Sequence, residues 1–169
     1  DNNVLCLQTA RYLLKVARAV AAAGRSKGGP VTVQDVPEAS GSARYLLDAA
    51  GPGGAGASAS PLGTDGVPLC DFEALLSAYA HAARRQVLAA ARRAGNSKVD
   101  EAMSRDMVAW IKAAKAHCAY VVLLNFVDAV AESKSRVTTA TAAVMDRLVA
   151  LHALATMDEE AEYVVIGAG

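Results

Sequence analysis

The chain has 169 residues, 53% of them apolar and 20% charged, which suffices for one buried core and argues against two full domains. Seventeen basic and seventeen acidic side chains cancel, so no global field marks the chain for nucleic acid or for an anionic membrane. The longest strongly apolar stretch free of charge, Ala116 to Val127, has twelve residues, too few to cross a bilayer core of about 30 Å as a helix, and a soluble protein without a membrane span is expected. Cys6, Cys70 and Cys118 are odd in number and contain no C-x-x-C pair. They read as buried small apolar residues in a reducing compartment, and neither a disulfide framework nor a metal site is expected. With no Met and no signal-like segment at its start, the chain reads as an excised piece.

Scarce aromatics, abundant alanine and apolar residues at three- and four-residue steps predict an all-α protein, an antiparallel helical bundle with a long Gly-rich insertion. The first helix is expected from Asn3 to Ala23, with Val4, Leu7, Arg11, Leu14, Ala17 and Ala21 along one stripe, Asn2 or Asn3 as N-cap and Gly24 as the stop. Arg11 interrupts that stripe and should lie at its edge or find a buried acceptor. Residues 24–70 read as a flexible Gly/Pro/Ser-rich linker, extreme at Gly51 to Pro61, with a short helix over Ser42 to Ala50 that would give Tyr45, Leu46 and Leu47 partners.

Residues 71–157 form the expected helical bundle. Asp71 opens a helix whose row Phe72, Leu75, Tyr79, Ala83, Val87 and Ala90 ends at Gly95 and Asn96, and whose other face carries Arg84, Arg85, Arg92 and Arg93 toward solvent. A third helix from Asp100 to Glu132 should hold its all-apolar stretch at the centre of the bundle. A fourth, Ser135 to Met157, repeats Val137, Thr141, Val144, Leu148, Leu151 and Ala155 at steps of 4, 3, 4, 3 and 4. Residues 158–169 read as an acidic tail.

Few constellations carry chemistry. Gly51-x-Gly53-x-x-Gly56 has the dinucleotide spacing, but no strand delivers it and no helix follows, so low-complexity linker is the better reading. Tyr163-Val-Val-Ile leads into Gly167-Ala-Gly169, where no helix follows, and reads as a frayed end. His117 and Cys118 are adjacent, about 100° apart on a helix, and cannot form a nucleophile and base pair; His117 reads as a core histidine with a satisfied ring. Met103, Met107 and Trp110 read as core, and Asp158, Glu159, Glu160 and Glu162 as a solvated run.

Two segments are more specific. Asp1-Asn-Asn-Val-Leu-Cys-Leu-Gln-Thr-Ala-Arg-Tyr-Leu-Leu-Lys15 resembles the segment of peroxisomal acyl-CoA oxidases that follows their catalytic Glu-Gly. Ala116-His-Cys-Ala-Tyr-Val-Val122 resembles the Ala-His-Cys-x-Tyr-Val-Val of that family's C-terminal helical domain. The resemblance implies FAD as cofactor, fatty acyl-CoA and O2 as substrates, a homodimer and a peroxisomal location. It implies that residues 1–23 are the last helix of the flavin-side helical domain. The family's catalytic glutamate falls two positions before Asp1, so no catalytic residue is expected in these 169 residues, and their role would be structural. Asn3 first, then Asn2 and Asp1, match positions that approach the flavin. The alternative is a helical protein-interaction module unrelated to flavin chemistry.

Overall fold

A computed structural model describes residues 2–50 and 71–159. Among these residues the regular elements are all helical: α1 (Asn2–Lys27), 3-10 helices at Pro37–Ala39 and Gly41–Ala50, α2 (Phe72–Ala94), α3 (Val99–Arg105), α4 (Met107–Ser133), a 3-10 turn at Lys134–Arg136 and α5 (Thr139–Glu159). The all-α class is thus as expected. Gly51 to Pro61, the acidic run from Glu160 on and the Gly167-Ala-Gly169 end lie outside the described residues. The chain divides into two compact units, the first drawing its described residues from Asp1–Ser58 and Ala83–His117, the second from Ala59–Ala82 and Cys118–Gly169.

In the first unit α1 runs past Gly24 and stops at Gly28, whose φ of 62° is left-handed. Gly28 N–H donates to the Gly24 carbonyl at 3.2 Å, closing the last turn as a C′ glycine does. A glycine inside a helix costs only about 1 kcal/mol, and Arg25 and Lys27 in the final turn complement the carbonyl end of the helix, so Gly24 does not end it. The buried face is Ala10, Leu13, Leu14, Ala17 and Val20, joined by Val16, whereas Val4, Leu5 and Ala21 are exposed. The stripe is thus displaced from the expected one. Arg11 lies outside it, exposed, and pairs with exposed Asp100 at 2.8 Å.

The buried face of α1 meets both 3-10 helices and α3. Val31, Val36, Ala39, Ala43, Tyr45, Leu46 and Leu47 are all buried, so within the expected linker residues 31–47 are packed protein. The expected short helix is present, as a 3-10 helix over Gly41–Ala50. Lys27 and Thr32 hold the turn before it through the Asp35 carboxylate, each at 2.8 Å.

The portion of α2 in this unit buries Ala83, Val87, Ala90 and Ala94 and ends at Gly95, φ 50°, as expected. Arg18 donates to the Gly95 and Ser97 carbonyls at 2.9 and 2.7 Å, a cation at the carbonyl end of that helix. The expected single third helix is broken. Asp106, at φ −115° and ψ 31°, separates α3 from α4, while Arg105 reaches back to the Arg93 carbonyl at 2.7 Å and to Ser97 Oγ at 3.3 Å. Trp110 and Met103 are buried, but Met107 is exposed, contrary to the core reading.

In the second unit Asp71 caps α2, its Oδ1 accepting the Ala74 N–H at 3.1 Å. The core is Leu75, Tyr79, Leu123, Val130, Val149 and Ala153, with Phe72, Phe126 and Met145 packed against it. Tyr79 Oη donates to the Ala153 carbonyl at 2.7 Å, and Lys134 pairs with Asp146 at 2.8 Å. Thr138 Oγ1 accepts the Thr141 N–H and starts α5. The expected apolar row of α5 faces outward: Val144, Leu148 and Leu151 are 52%, 50% and 62% exposed. Val149, Ala150 and Ala153 are buried in its place, because small residues let the helix approach its neighbours closely. Ala116 to Val127 is likewise not buried all round, since Cys118, Val122 and Asn125 are exposed. Length and composition alone would let Met107–Arg136 and Thr139–Met157 each cross a membrane, a property that the twelve-residue charge-free stretch does not convey and that core helices of helical domains share.

Candidate functional site

The segment 116–122 that carries the second resemblance lies on α4. Its His117 is 5% exposed and hydrogen-bonded through Nδ1 to Tyr45 Oη at 3.0 Å. The rings lie 5.8 Å apart, tilted by 39°. Burial pushes the imidazole down to about 4, because a charged ring in this surrounding loses its hydration without gaining a counter-ion. The ring is therefore neutral at pH 7, satisfied and closed off from solvent. That is the geometry of a fastening, as the core reading of His117 anticipates, and it gives no access for general base work.

The partner, Tyr45, escapes sequence reasoning, for it lies 72 residues away. Its one signal is that Tyr45, Leu46 and Leu47 form an apolar cluster in an otherwise small and polar stretch. Cys118 next to the histidine is exposed and Cys6 half-buried, which corrects the reading of both as buried residues. Cys70 lies outside the described residues. His152 packs edge-on against Phe126, centroids 5.8 Å apart. Asn2 and Asn3 belong to the first turn of α1 instead of capping it. Their side chains, and all of Asp1, lie outside the described residues, so these three candidates have no contact to be drawn.

The described side chains do not make a cradle for FAD. Arg18 Nε and Trp110 Nε1 are buried without an acceptor, but they belong to different helices, and Trp110 is wholly enclosed in packed interior. The other polar groups with fixed geometry, Arg18 Nη2, Arg105, Tyr45 and Tyr79, are directed at this chain's own backbone and side chains. Within the first unit Arg18 and Arg105 tie helix ends and Tyr45 holds a 3-10 segment, and within the second Tyr79 joins α2 to α5.

Comparison with protein families matches residues 71–167 to acyl-CoA oxidase. The chain belongs to the acyl-CoA oxidase family. The matched span includes the 116–122 segment and continues through the acidic run, while residues 1–70 lie outside it. No individual curated protein matches the chain. Family membership sets aside the alternative of an interaction module unrelated to these oxidases.

Proposed function

We propose that these residues are the C-terminal helical part of an acyl-CoA oxidase that converts fatty acyl-CoA to trans-2-enoyl-CoA, passing electrons through FAD to O2 and releasing hydrogen peroxide in peroxisomal fatty-acid β-oxidation. The observation that carries the reading is the family match over 71–167, supported by the resemblance of residues 1–15 to the segment that follows the family's catalytic Glu-Gly. FAD supplies the hydride acceptor when bound. The chemistry needs a carboxylate and the flavin on opposite faces of the Cα–Cβ bond, and that carboxylate falls before Asp1 in the resemblance.

The part played by this chain is then to hold helices in place. Residues 1–23, the last helix of the flavin-side domain, carry Asn3, Asn2 and Asp1 toward the flavin. Residues 71–157 supply the C-terminal helical bundle, residues 24–70 link it to that helix, and 158–169 form an acidic extension. The whole enzyme acts as a homodimer.

Two measurements test the reading. The coding sequence upstream of Asp1 should encode Phe/Tyr-Glu-Gly, and the protein extended through that motif and the family's flavin domains should bind FAD and release peroxide from an acyl-CoA. Residues 1–169 mixed with FAD and acyl-CoA should release none above a no-protein control. An unrelated upstream sequence, or peroxide from residues 1–169 alone, overturns the proposal.

A further inference from the structure

The apolar row of α5 has two properties that identify its partner. The first is spacing. Within the helix, Thr141, Val144, Leu148, Leu151 and Ala155 repeat at steps of 3, 4, 3 and 4, the 3.5-residue period of a coiled-coil seam, and the three large members are at least half exposed. A row with that period keeps facing a second helix along its whole length, whereas the buried side of α5, built on Val149 and Ala153, is already occupied.

The second property is charge. The first turn of α5 holds no acidic residue and its last turn no basic one; instead Arg136 is exposed just before the helix, and Asp158 and Glu159 fall in its final turn. That is the reverse of what the dipole of a single helix favours. An antiparallel copy resolves the mismatch, since it brings the amide end and Arg136 of one helix beside the acidic end of the other. A parallel copy would place the two acidic ends together. The row itself bears no charge; Arg147 borders it, exposed and long enough to turn outward.

We propose that the Val144, Leu148 and Leu151 face of α5 is a self-association surface, occupied by α5 of a second copy of this chain in antiparallel orientation. The proposal rests on the homodimer reading above and assigns it a face and a direction.

The test uses the 169-residue chain at about 50 μM, a range in which weak specific dimers form. Sedimentation should give the mass of two chains, and L148D/L151D should halve it with an unchanged helical circular dichroism spectrum, both positions being exposed. Orientation is read in a background with Cys6, Cys70 and Cys118 changed to serine. A mixture of T141C and A155C chains should cross-link through a short bis-maleimide, and A155C alone should not. A dimer that survives L148D/L151D leaves the homodimer standing and overturns the face. Cross-linking of A155C alone overturns the direction. A monomeric chain overturns both. If L148D/L151D unfolds, the cross-linking arm decides alone.

Discussion

Tyr45 Oη and His117 Nδ1 lie 3.0 Å apart in a buried pair that joins the 3-10 helix Gly41–Ala50 to α4 across 72 residues of sequence. The bond holds His117, 5% exposed, within the first unit, where Tyr45, Leu46 and Leu47 are buried as well.

The pair makes this unit acid-sensitive. His117 has its pKa lowered from 6.5 to about 4, so between those values the unfolded chain takes up a proton that the folded chain refuses. Stability from this group is complete above about pH 6.5, falls by up to about 1.4 kcal/mol per unit as the pH drops toward 4, and changes no further below that. Urea unfolding at several pH values between 7 and 4 should show the loss, and H117Q should flatten this part of the curve. An equal slope in H117Q would assign the acid sensitivity elsewhere. Tyr45→Phe leaves Nδ1 without its partner and should cost about 1–3 kcal/mol at neutral pH.

Residues 31–47 test whether the stretch before the Gly-rich insertion is folded protein or linker. Leu46 is wholly buried, so Leu46→Ala should destabilise by about 2–5 kcal/mol through lost transfer energy and the cavity left behind. Amide exchange should find these residues protected in the wild-type chain. Fast exchange there, together with a neutral Leu46→Ala, would show that the segment does not pack as described.

Much of the helix layout was legible because its signals are local. Asp71 and Gly95 bracket α2, and the row from Leu75 to Ala90 has one side because small residues and arginines fill the other. The break at Asp106 was not legible, since it accompanies a hydrogen bond from Arg105 to a carbonyl twelve residues back. Gly24 misled because a single glycine penalises a helix less than a favourable final turn supports it. The α5 row misled for a different reason: spacing tells which residues share a face, and tertiary packing decides which face is buried. Of the candidate site, the buried and satisfied state of His117 followed from its apolar surroundings in sequence, while its partner Tyr45 required the fold.

Gly28 carries the true end of α1. Its φ of 62° is left-handed, and a Cβ there would meet no atom within 4 Å, so the cost of Gly28→Ala is the backbone strain alone, about 1 kcal/mol. Gly28→Asn should cost less, because asparagine tolerates that region better than other side chains. Thermal melts of the two variants give the order directly. An Ala variant as stable as the wild type would mean that the helix ends elsewhere.

Tyr79 offers a separate probe of the second unit. Its hydroxyl donates to the Ala153 carbonyl at 2.7 Å within the cluster formed with Leu75, Leu123, Val130 and Val149, and so links α2 to α5. Tyr79→Phe keeps the ring and removes the donor. The cost should stay near 1 kcal/mol, because a carbonyl inside a helix has a second lone pair for its own helix. Tyr79→Ala empties the core and should cost about 3–5 kcal/mol. The contrast matters more than either value: hydrogen bonding and packing are separated at one position, and unfolding curves for the two variants should differ by a few kcal/mol. Equal losses in both would show that the bond, and not the ring, holds α5 in place.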